Sequence, residues 1–195
     1  MSISGRKERE RAERHELIIS TARELAEAEG WDAVTTRRLA ERIEYSQPVL
    51  YSHFAGKDAI VSAVAVQGFA ELATALAAAR ASAGTPEQAV AAVAGAYTAF
   101  GAANPALYDA MFTLTTDLPF ATAAAPAPLR AAFAEIADAL APLAGERDPG
   151  LYAEVGWGAM HGMVTLTRAG RLPADQREQR LALLVGQLVA RPGHI

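Results

Sequence analysis

The chain contains no cysteine among its 195 residues, so it forms no disulfide and offers no thiolate as a nucleophile or metal ligand. It also lacks a glycine-rich phosphate-binding loop and any close group of His, Asp and Glu residues along the sequence. Its histidines are scattered at His15, His53, His161 and His194. These absences predict a protein that is not an enzyme and that holds no metal and no cofactor. The lack of cysteine suits a reducing compartment, and we predict a cytoplasmic protein.

Long apolar runs are scarce as well. Residues 1–14 are rich in charge and contain no apolar core of a signal peptide. The uncharged run from Val90 to Tyr108 is rich in alanine and is interrupted by Gly95, Gly101 and Pro105. We interpret this run as a buried helix rather than a membrane span. Because hydrophobic residues make up 51% of the chain, we expect a folded protein with a real core.

Strand-like alternation is absent, and helical periodicity extends along the whole chain. Glycine and proline interrupt it at Gly30, at residues 84–86, at residues 104–105 and throughout residues 115–128. The pattern predicts helices near residues 9–29, 58–83, 86–103, 105–112, 129–143, 149–169 and 174–189. Two shorter helices are predicted between residues 34 and 57.

These two short helices abut across a tight break at residues 44–46. Thr35 and Thr36 suit the N-terminus of the first helix, and Pro48 suits the first turn of the second, which begins at Gln47. Two short helices at this spacing are typical of a helix-turn-helix, which presents its second helix to the major groove of DNA. The alternative is a small three-helix module with no nucleic-acid role.

The outward face of the second helix is hydrogen-bonding and aromatic but uncharged, which suits contact with base edges and phosphates. Arginine and lysine residues lie at its margins. The residues predicted to contact DNA are Thr35, Thr36, Arg37, Gln47, Pro48, Tyr51, Ser52, His53 and Lys57. The net charge is −4, and residues 1–60 carry ten basic against eleven acidic side chains. Attraction to DNA must therefore come from local placement of the cations.

The segment resembles the DNA-binding domain of TetR-type transcriptional regulators, which show the pattern T-T-x-x-L-A, a short turn and then L-Y-x-H-F-x-x-K. The matching residues are Thr35, Thr36, Leu39, Ala40, Leu50, Tyr51, His53, Phe54 and Lys57. The resemblance implies an all-α fold of about nine helices. It further implies a helix-turn-helix domain at residues 1–57 and an effector-binding and dimerisation domain at residues 58–195. The implied partners are a double-stranded DNA operator, a small-molecule effector and a second copy of the chain, with no membrane.

One residue departs from this family pattern. The family usually has glycine where this chain has Glu44, at the opening of the turn. Glycine adopts a positive φ at little cost, so Glu44 must either accept strain or form a different turn. Its carboxylate also adds negative charge near the expected DNA face.

The second domain holds most of the aromatic and sulfur-containing side chains. Such side chains around a few polar groups are typical of a small-molecule pocket, although they also build ordinary cores. The predicted ligand-binding residues are Tyr97, Phe100, Tyr108, Met111, Phe112, Phe120, Trp157 and His161. The segment GWGAMHGMVTL at residues 156–166 resembles a Trp-His-Gly signature of one TetR subgroup. His161 is open to three roles: a core hydrogen bond, effector contact or a place in a dimer interface.

The last two helices are implied by the resemblance to form a four-helix dimer interface. Gly158 and Gly162 lie four residues apart and leave a groove for another helix. The predicted interface residues are Gly158, Gly162, Leu181, Leu184 and Leu188. A two-fold dimer matches a palindromic operator with half-sites roughly 34–36 Å apart. We therefore predict a transcriptional regulator, by family default a ligand-released repressor. The alternative is a helical protein that binds small molecules but not DNA.

Overall fold

The computed structural model describes residues 3–190, and the side chains of all of these except residues 3, 4 and 174. Over this range the chain forms nine α-helices and no β-strand, which confirms the all-α prediction. The helices are α1 (Ile3–Glu29), α2 (Thr36–Arg42), α3 (Gln47–Tyr51), α4 (Lys57–Ala81), α5 (Pro86–Ala103), α6 (Pro105–Phe112), α7 (Ala127–Leu140), α8 (Pro149–Arg168) and α9 (Arg177–Val189). Single 3-10 turns lie at Trp31–Ala33, Ala141–Leu143 and Ala174–Gln176.

The sequence supplies stabilising first turns for most of these helices. The side chain of Thr35 accepts a hydrogen bond from the N–H of Arg38 at 3.2 Å and caps α2. Asp148 caps α8 in the same way, accepting from the N–H of Leu151 at 2.8 Å. Proline stands in the first turn of α3, α5, α6, α7 and α8, where its missing N–H has no helical partner to lose.

Most predicted helix boundaries agree with the structure to within a few residues, but α1 is longer than predicted. It begins at Ile3 rather than near Arg9. Arg6 and Glu10 form an ion pair at 3.5 Å with helical i,i+4 spacing. Such pairs stabilise a solvated helix whose apolar periodicity is weak. The first turns of α1 are therefore marked in the sequence by charged residues at i,i+4 spacing. They lack the apolar periodicity from which the start of the helix was predicted.

The chain packs as two compact units that are discontinuous in sequence. Unit 1 comprises Met1–Gly68 and Asn104–Thr122, and unit 2 comprises Phe69–Ala103 and Ala123–Ile195. This division by packing differs from the predicted domain boundary after residue 57. It cuts α4 between its two halves and assigns α6 to the unit that contains the helix-turn-helix.

In unit 1, side chains of α1 and of the turn that follows it hold α6 in place by hydrogen bonds. The carboxylate of Glu27 accepts hydrogen bonds from the N–H groups of Ala106 at 3.0 Å and Leu107 at 2.9 Å. It thereby caps the N-terminus of α6, where a negative charge is favourable. The indole of Trp31 donates to the carbonyl of Ala106 at 2.7 Å, and Arg23 donates to Asn104 at 3.0 Å.

In unit 2, close helix packing depends on one glycine of α8. A Cβ atom placed at Gly156 would lie 2.6 Å from Cδ1 of Leu140 on α7, which is far inside van der Waals contact. In the same unit, Arg80 donates to Glu135 at 2.7 Å. That hydrogen bond raises the pKa of Arg80 and joins the end of α4 to α7.

By length and composition, α4 is the one helix in the described range that is apolar enough to cross a membrane. Its first half buries Ile60 and Val64 within unit 1, and its second half buries Leu72 and Leu76 within unit 2. The apolar composition is therefore accounted for by packing inside each unit.

Candidate functional site

The turn between α2 and α3 has a strained backbone conformation at Glu44, which was one of the two outcomes that the sequence allowed. Glu44 has a φ of 58°, in the left-handed region that favours glycine. The N–H groups of Glu44 and Tyr45 still find partners, donating to the carbonyls of Glu41 and Ala40. The turn therefore has the geometry that a glycine would give it, at a cost in backbone strain for Glu44.

Replacing Glu44 with glycine is expected to raise the free energy of unfolding by about 0.5–1 kcal/mol. Relief of the left-handed strain is worth about 1–2 kcal/mol, and the added freedom of glycine in the unfolded chain offsets part of it. Urea unfolding followed by circular dichroism measures this gain. Glu44→Ala removes the same carboxylate but retains the strain, so it should give no such gain. Equal stabilisation by both substitutions would assign the effect to charge instead.

Most of the residues that were predicted to face outward from α3 are exposed, whereas His53 is half-buried. Leu50 is buried, while Gln47, Pro48, Tyr51 and Ser52 are exposed. Tyr51 has 53% of its surface exposed, which is a large fraction for an aromatic side chain in a small folded unit. Its hydroxyl lies 3.4 Å from the hydroxyl of Thr36 on α2, so the two helices present one continuous polar surface.

The opposite side of this motif rests on α1. The ring of His15 stacks on Phe54 with centroids 4.4 Å apart, and Arg11 donates to the carbonyl of Ser52 at 3.5 Å. His53 is half-buried beside them. Burial lowers its pKa, and the nearby charges of Arg11, His15 and Arg14 lower it further. His53 is therefore a neutral hydrogen-bonding group at pH 7.

The cations at the margins of this surface already have partners inside the unit. Arg37 pairs with Glu41 at 2.9 Å, and Arg38 pairs with Glu29 at 2.9 Å. These exposed pairs contribute little in water and can be exchanged for phosphate contacts. The ammonium of Lys57 is placed differently, because it donates to the carbonyl of Trp31 at 2.5 Å in a half-buried position. Lys57 thus also stabilises unit 1.

In unit 2, three predicted ligand-binding residues meet in one hydrogen-bonded cluster. The indole of Trp157 donates to the hydroxyl oxygen of Tyr97 at 3.0 Å. That hydroxyl lies 3.3 Å from Nδ1 of His161. The tyrosine hydroxyl donates to Nδ1 of His161 in the tautomer that carries its proton on Nε2, and it accepts from Nδ1 in the other tautomer. Burial lowers the pKa of His161, with a smaller contribution from the charge of Arg168, and keeps the ring neutral.

The remaining predicted ligand-binding residues are distributed over both units. Phe100 is half-buried on α5 in unit 2, and Phe120 is exposed between α6 and α7. Tyr108, Met111 and Phe112 lie on α6, within unit 1. Tyr108 and Met111 are fully buried there. The structure therefore brings Tyr97, Trp157 and His161 together but does not gather the whole predicted set within one unit.

The predicted dimer surface has an exposed face that sequence reasoning identified only in part. No atom of the described chain lies within 4 Å of a Cβ placed at Gly158 or Gly162, so both glycines face open space. Two apolar side chains are strongly exposed on these helices: Val155, three residues before Gly158 on α8, with 67% of its surface exposed, and Leu183 on α9, with 70%. Exposed large apolar residues indicate an interaction surface, and their exposure cannot be determined from the sequence without coordinates.

The predicted interface leucines of α9 lie mainly on its inner side. Leu188 is buried within unit 2 at 6% exposure, and its carbonyl accepts a hydrogen bond from the hydroxyl of Tyr152. Leu181 and Leu184 are half-buried. Leu188 is thus a core residue of its own protomer, which leaves Leu183 as the prominent apolar side chain on the outer face of α9.

Comparison with known proteins identifies the family to which the chain belongs. Residues 18–64 match the bacterial regulatory proteins of the tetR family, and residues 90–188 match the tetracyclin repressor-like C-terminal domain. The class C tetracycline repressor of Escherichia coli is 50% identical over 50 residues, which are 26% of this chain and 23% of that repressor. The match thus spans about a quarter of the length of that relative.

Longer matches extend the likeness over both units. An uncharacterized HTH-type transcriptional regulator of Mycobacterium tuberculosis is 31% identical over 159 residues, covering 80% of this chain and 70% of that protein. A solved structure of a protein with unknown function from Rhodococcus sp. RHA1 superimposes with a TM-score of 0.76 at 24% identity, over 90% of this chain and 93% of that chain. The chain belongs to the TetR family of bacterial regulatory proteins.

Proposed function

We propose that the chain is a transcriptional regulator that binds a palindromic DNA operator as a homodimer and is released from it by a small-molecule effector. The observation that carries this proposal is the outer face of α3. It exposes Gln47, Pro48, Tyr51 and Ser52 without a single charged side chain. A solvated helix gains nothing from such a face, whereas base edges in the major groove require hydrogen-bonding groups that approach closely.

Gln47 is assigned to base reading because it is exposed at the first position of α3, the end of a recognition helix that enters the groove. Gln47→Ala is expected to relax the preference at one base position of each half-site by about 1–3 kcal/mol. Fluorescence anisotropy with DNA flanking the gene, and with single-base variants of the bound site, measures this change.

Gln88→Ala serves as the matched control, since Gln88 lies at the start of α5 in unit 2 and should leave base preference unaltered. Equal weakening of all sequences by Gln47→Ala would show that Gln47 does not read bases. A wild-type chain that binds none of the flanking DNA above the level of scrambled DNA would overturn the function itself. It would favour a helical protein that binds only small molecules.

Dimerisation is proposed through the exposed faces of α8 and α9. On α8, residues 151, 155, 158, 162 and 166 follow helical spacing along one side, and three of them are the exposed Leu151, Val155 and Leu166. The two glycines between them allow a second helix to approach closely. A second copy of the chain fits this surface because an isologous interface requires the same apolar patch on both partners.

The effector is proposed to bind in unit 2 at the cluster of Tyr97, Trp157 and His161, in a domain of the Trp-His-Gly subgroup. The cluster offers an aromatic wall and a neutral histidine, the composition of a small-molecule site. The chain passes between the units within α4 and on either side of α6. An effector that favours one conformation of unit 2 would act on unit 1 through these connections, so that the two recognition helices leave the half-site spacing.

A further inference from the structure

The first turns of α1 bury no apolar face in unit 1. Residues 6–13 are all exposed, although they cover more than two turns of the helix and extend for about 12 Å. Helices of globular proteins usually owe their stability to an apolar face that packs against a neighbour. The surface of these turns is therefore available to a partner outside the protomer.

One stripe of these turns is basic. Lys7, Arg11 and Arg14 follow the spacing i, i+4 and i+7, which places them on one face of α1. The next position of the same stripe is Ile18, which is buried at 1% exposure in unit 1. The basic stripe thus continues the face with which α1 packs against the rest of the unit. The acidic residues of the segment lie outside this stripe, at Glu8, Glu10 and Glu13.

The same stripe meets the C-terminal end of α3. The guanidinium of Arg11 donates to the carbonyl of Ser52, the C-cap residue of α3, at 3.5 Å. Burial lowers the pKa of His53, the next residue, and the charges of Arg11 and Arg14 contribute to this lowering. Ser52 is itself exposed on the face that is proposed to contact DNA. The basic stripe and that face are therefore continuous.

The ion pair of Arg14 can be exchanged for another anion. Arg14 lies 3.8 Å from Glu10, and their side chains are 37% and 48% exposed. Glu10 also pairs with Arg6, at 3.5 Å. Exposed pairs of this kind contribute little to stability in water, whereas guanidinium and phosphate form strong, often bidentate hydrogen bonds.

We propose that Lys7, Arg11 and Arg14 form a second DNA-contacting surface, which binds backbone phosphates outside the base pairs that α3 reads. The proposal rests on the DNA-binding function proposed above. From residue 7 to residue 14 the helix rises about 10 Å, and one strand of a duplex presents about three phosphates over that length. The number and the spacing of the cations therefore fit a stretch of duplex backbone.

Lys7→Gln combined with Arg14→Gln removes two cations of the stripe and leaves the contact between Arg11 and Ser52 in place. The test uses the full chain and the site bound within the flanking DNA, with fluorescence anisotropy at several salt concentrations. If each cation holds one phosphate, the slope of log K against log salt should fall in magnitude by about 3–4 for a dimer on two half-sites. The preference among single-base variants should stay within about twofold, because phosphates carry no sequence information.

The length of the duplex gives a readout that does not depend on net charge alone. The wild-type chain should bind a duplex that extends about six base pairs beyond each half-site at least about tenfold more tightly than a duplex trimmed to the half-sites. The double variant should bind the two duplexes with affinities within about twofold of each other.

Arg6→Gln combined with Arg9→Gln is the control, since it removes the same charge from other faces of the same exposed turns. It should retain the dependence on duplex length and most of the salt slope. An equal loss in this control would assign the effect to net charge and overturn the surface. An unchanged slope in the variant of Lys7 and Arg14, with base preference intact, would overturn the surface and leave the proposed function standing. A wild-type chain that binds no DNA above the level of scrambled DNA would overturn both.

Discussion

A chain with glutamate at both Val155 and Leu183 is expected to sediment as a folded monomer and to lose at least about a hundredfold in operator affinity. Both side chains are more than two-thirds exposed in the protomer, so the substitutions leave its core intact. In the proposed dimer they would bury four unpaired carboxylates, which is strongly unfavourable. A monomer reads a single half-site and forfeits the avidity gained by linking two recognition helices, typically a factor of about 10²–10⁴.

Sedimentation velocity and anisotropy with operator DNA measure the two effects on the same sample. The matched control places glutamate at Ala131 and Ala134, which are exposed positions on α7 and are not part of the proposed α8–α9 surface. This control should remain dimeric and retain operator affinity. If the double variant of Val155 and Leu183 still sediments as a dimer, the interface lies elsewhere on the protomer.

Trp31→Ala should be the most destabilising single substitution in unit 1, lowering the free energy of unfolding by about 3–5 kcal/mol. The indole is buried at 8% exposure and donates to the carbonyl of Ala106, while the backbone carbonyl of Trp31 accepts from Lys57. The residue thus connects α1, α4 and α6. Urea unfolding followed by circular dichroism, together with operator binding, measures the loss.

Trp31→Phe separates the hydrogen bond from the packing. It retains an aromatic ring but leaves the Ala106 carbonyl without its donor, which should lower the free energy of unfolding by about 1–3 kcal/mol. Because the chain has two tryptophans, this variant also leaves Trp157 as the only indole, a fluorescent reporter for unit 2. A loss below about 1 kcal/mol for Trp31→Ala would show that α6 is not held to unit 1 as the contacts indicate.

Helix positions were predictable because their signals are local. Thr35 and Asp148 cap helices that begin beside them, and the outward face of α3 follows from the spacing of Leu50 and Phe54. The strain at Glu44 was anticipated as one of two outcomes, because a glutamate at a glycine position has few alternatives.

Pairings between distant segments were not predictable from the sequence. Glu27 caps a helix whose residues lie 79 and 80 positions later, and periodicity contains no information about such contacts. The two faces of α9 posed a similar difficulty. The more apolar face carries Leu188 and packs within its own protomer, while the face with Leu183 stays exposed. Hydrophobicity ranks such faces but does not identify which neighbour each one contacts.

Unit 1 is completed only by residues 104–122, which follow the first part of unit 2 in the sequence. This order has a consequence for synthesis and for protein engineering. As the chain leaves the ribosome, the helix-turn-helix emerges long before α6, so Glu27 and Trp31 lack their partners until residues 104–122 have been made. Contacts that close such long loops slow folding, since the loop must be ordered before the contact forms. For the same reason, transplanting residues 1–57 alone onto another protein would leave the cap of α6 behind. A DNA-reading module taken from this chain should therefore include residues 104–122, or a substitute that covers the surface they leave.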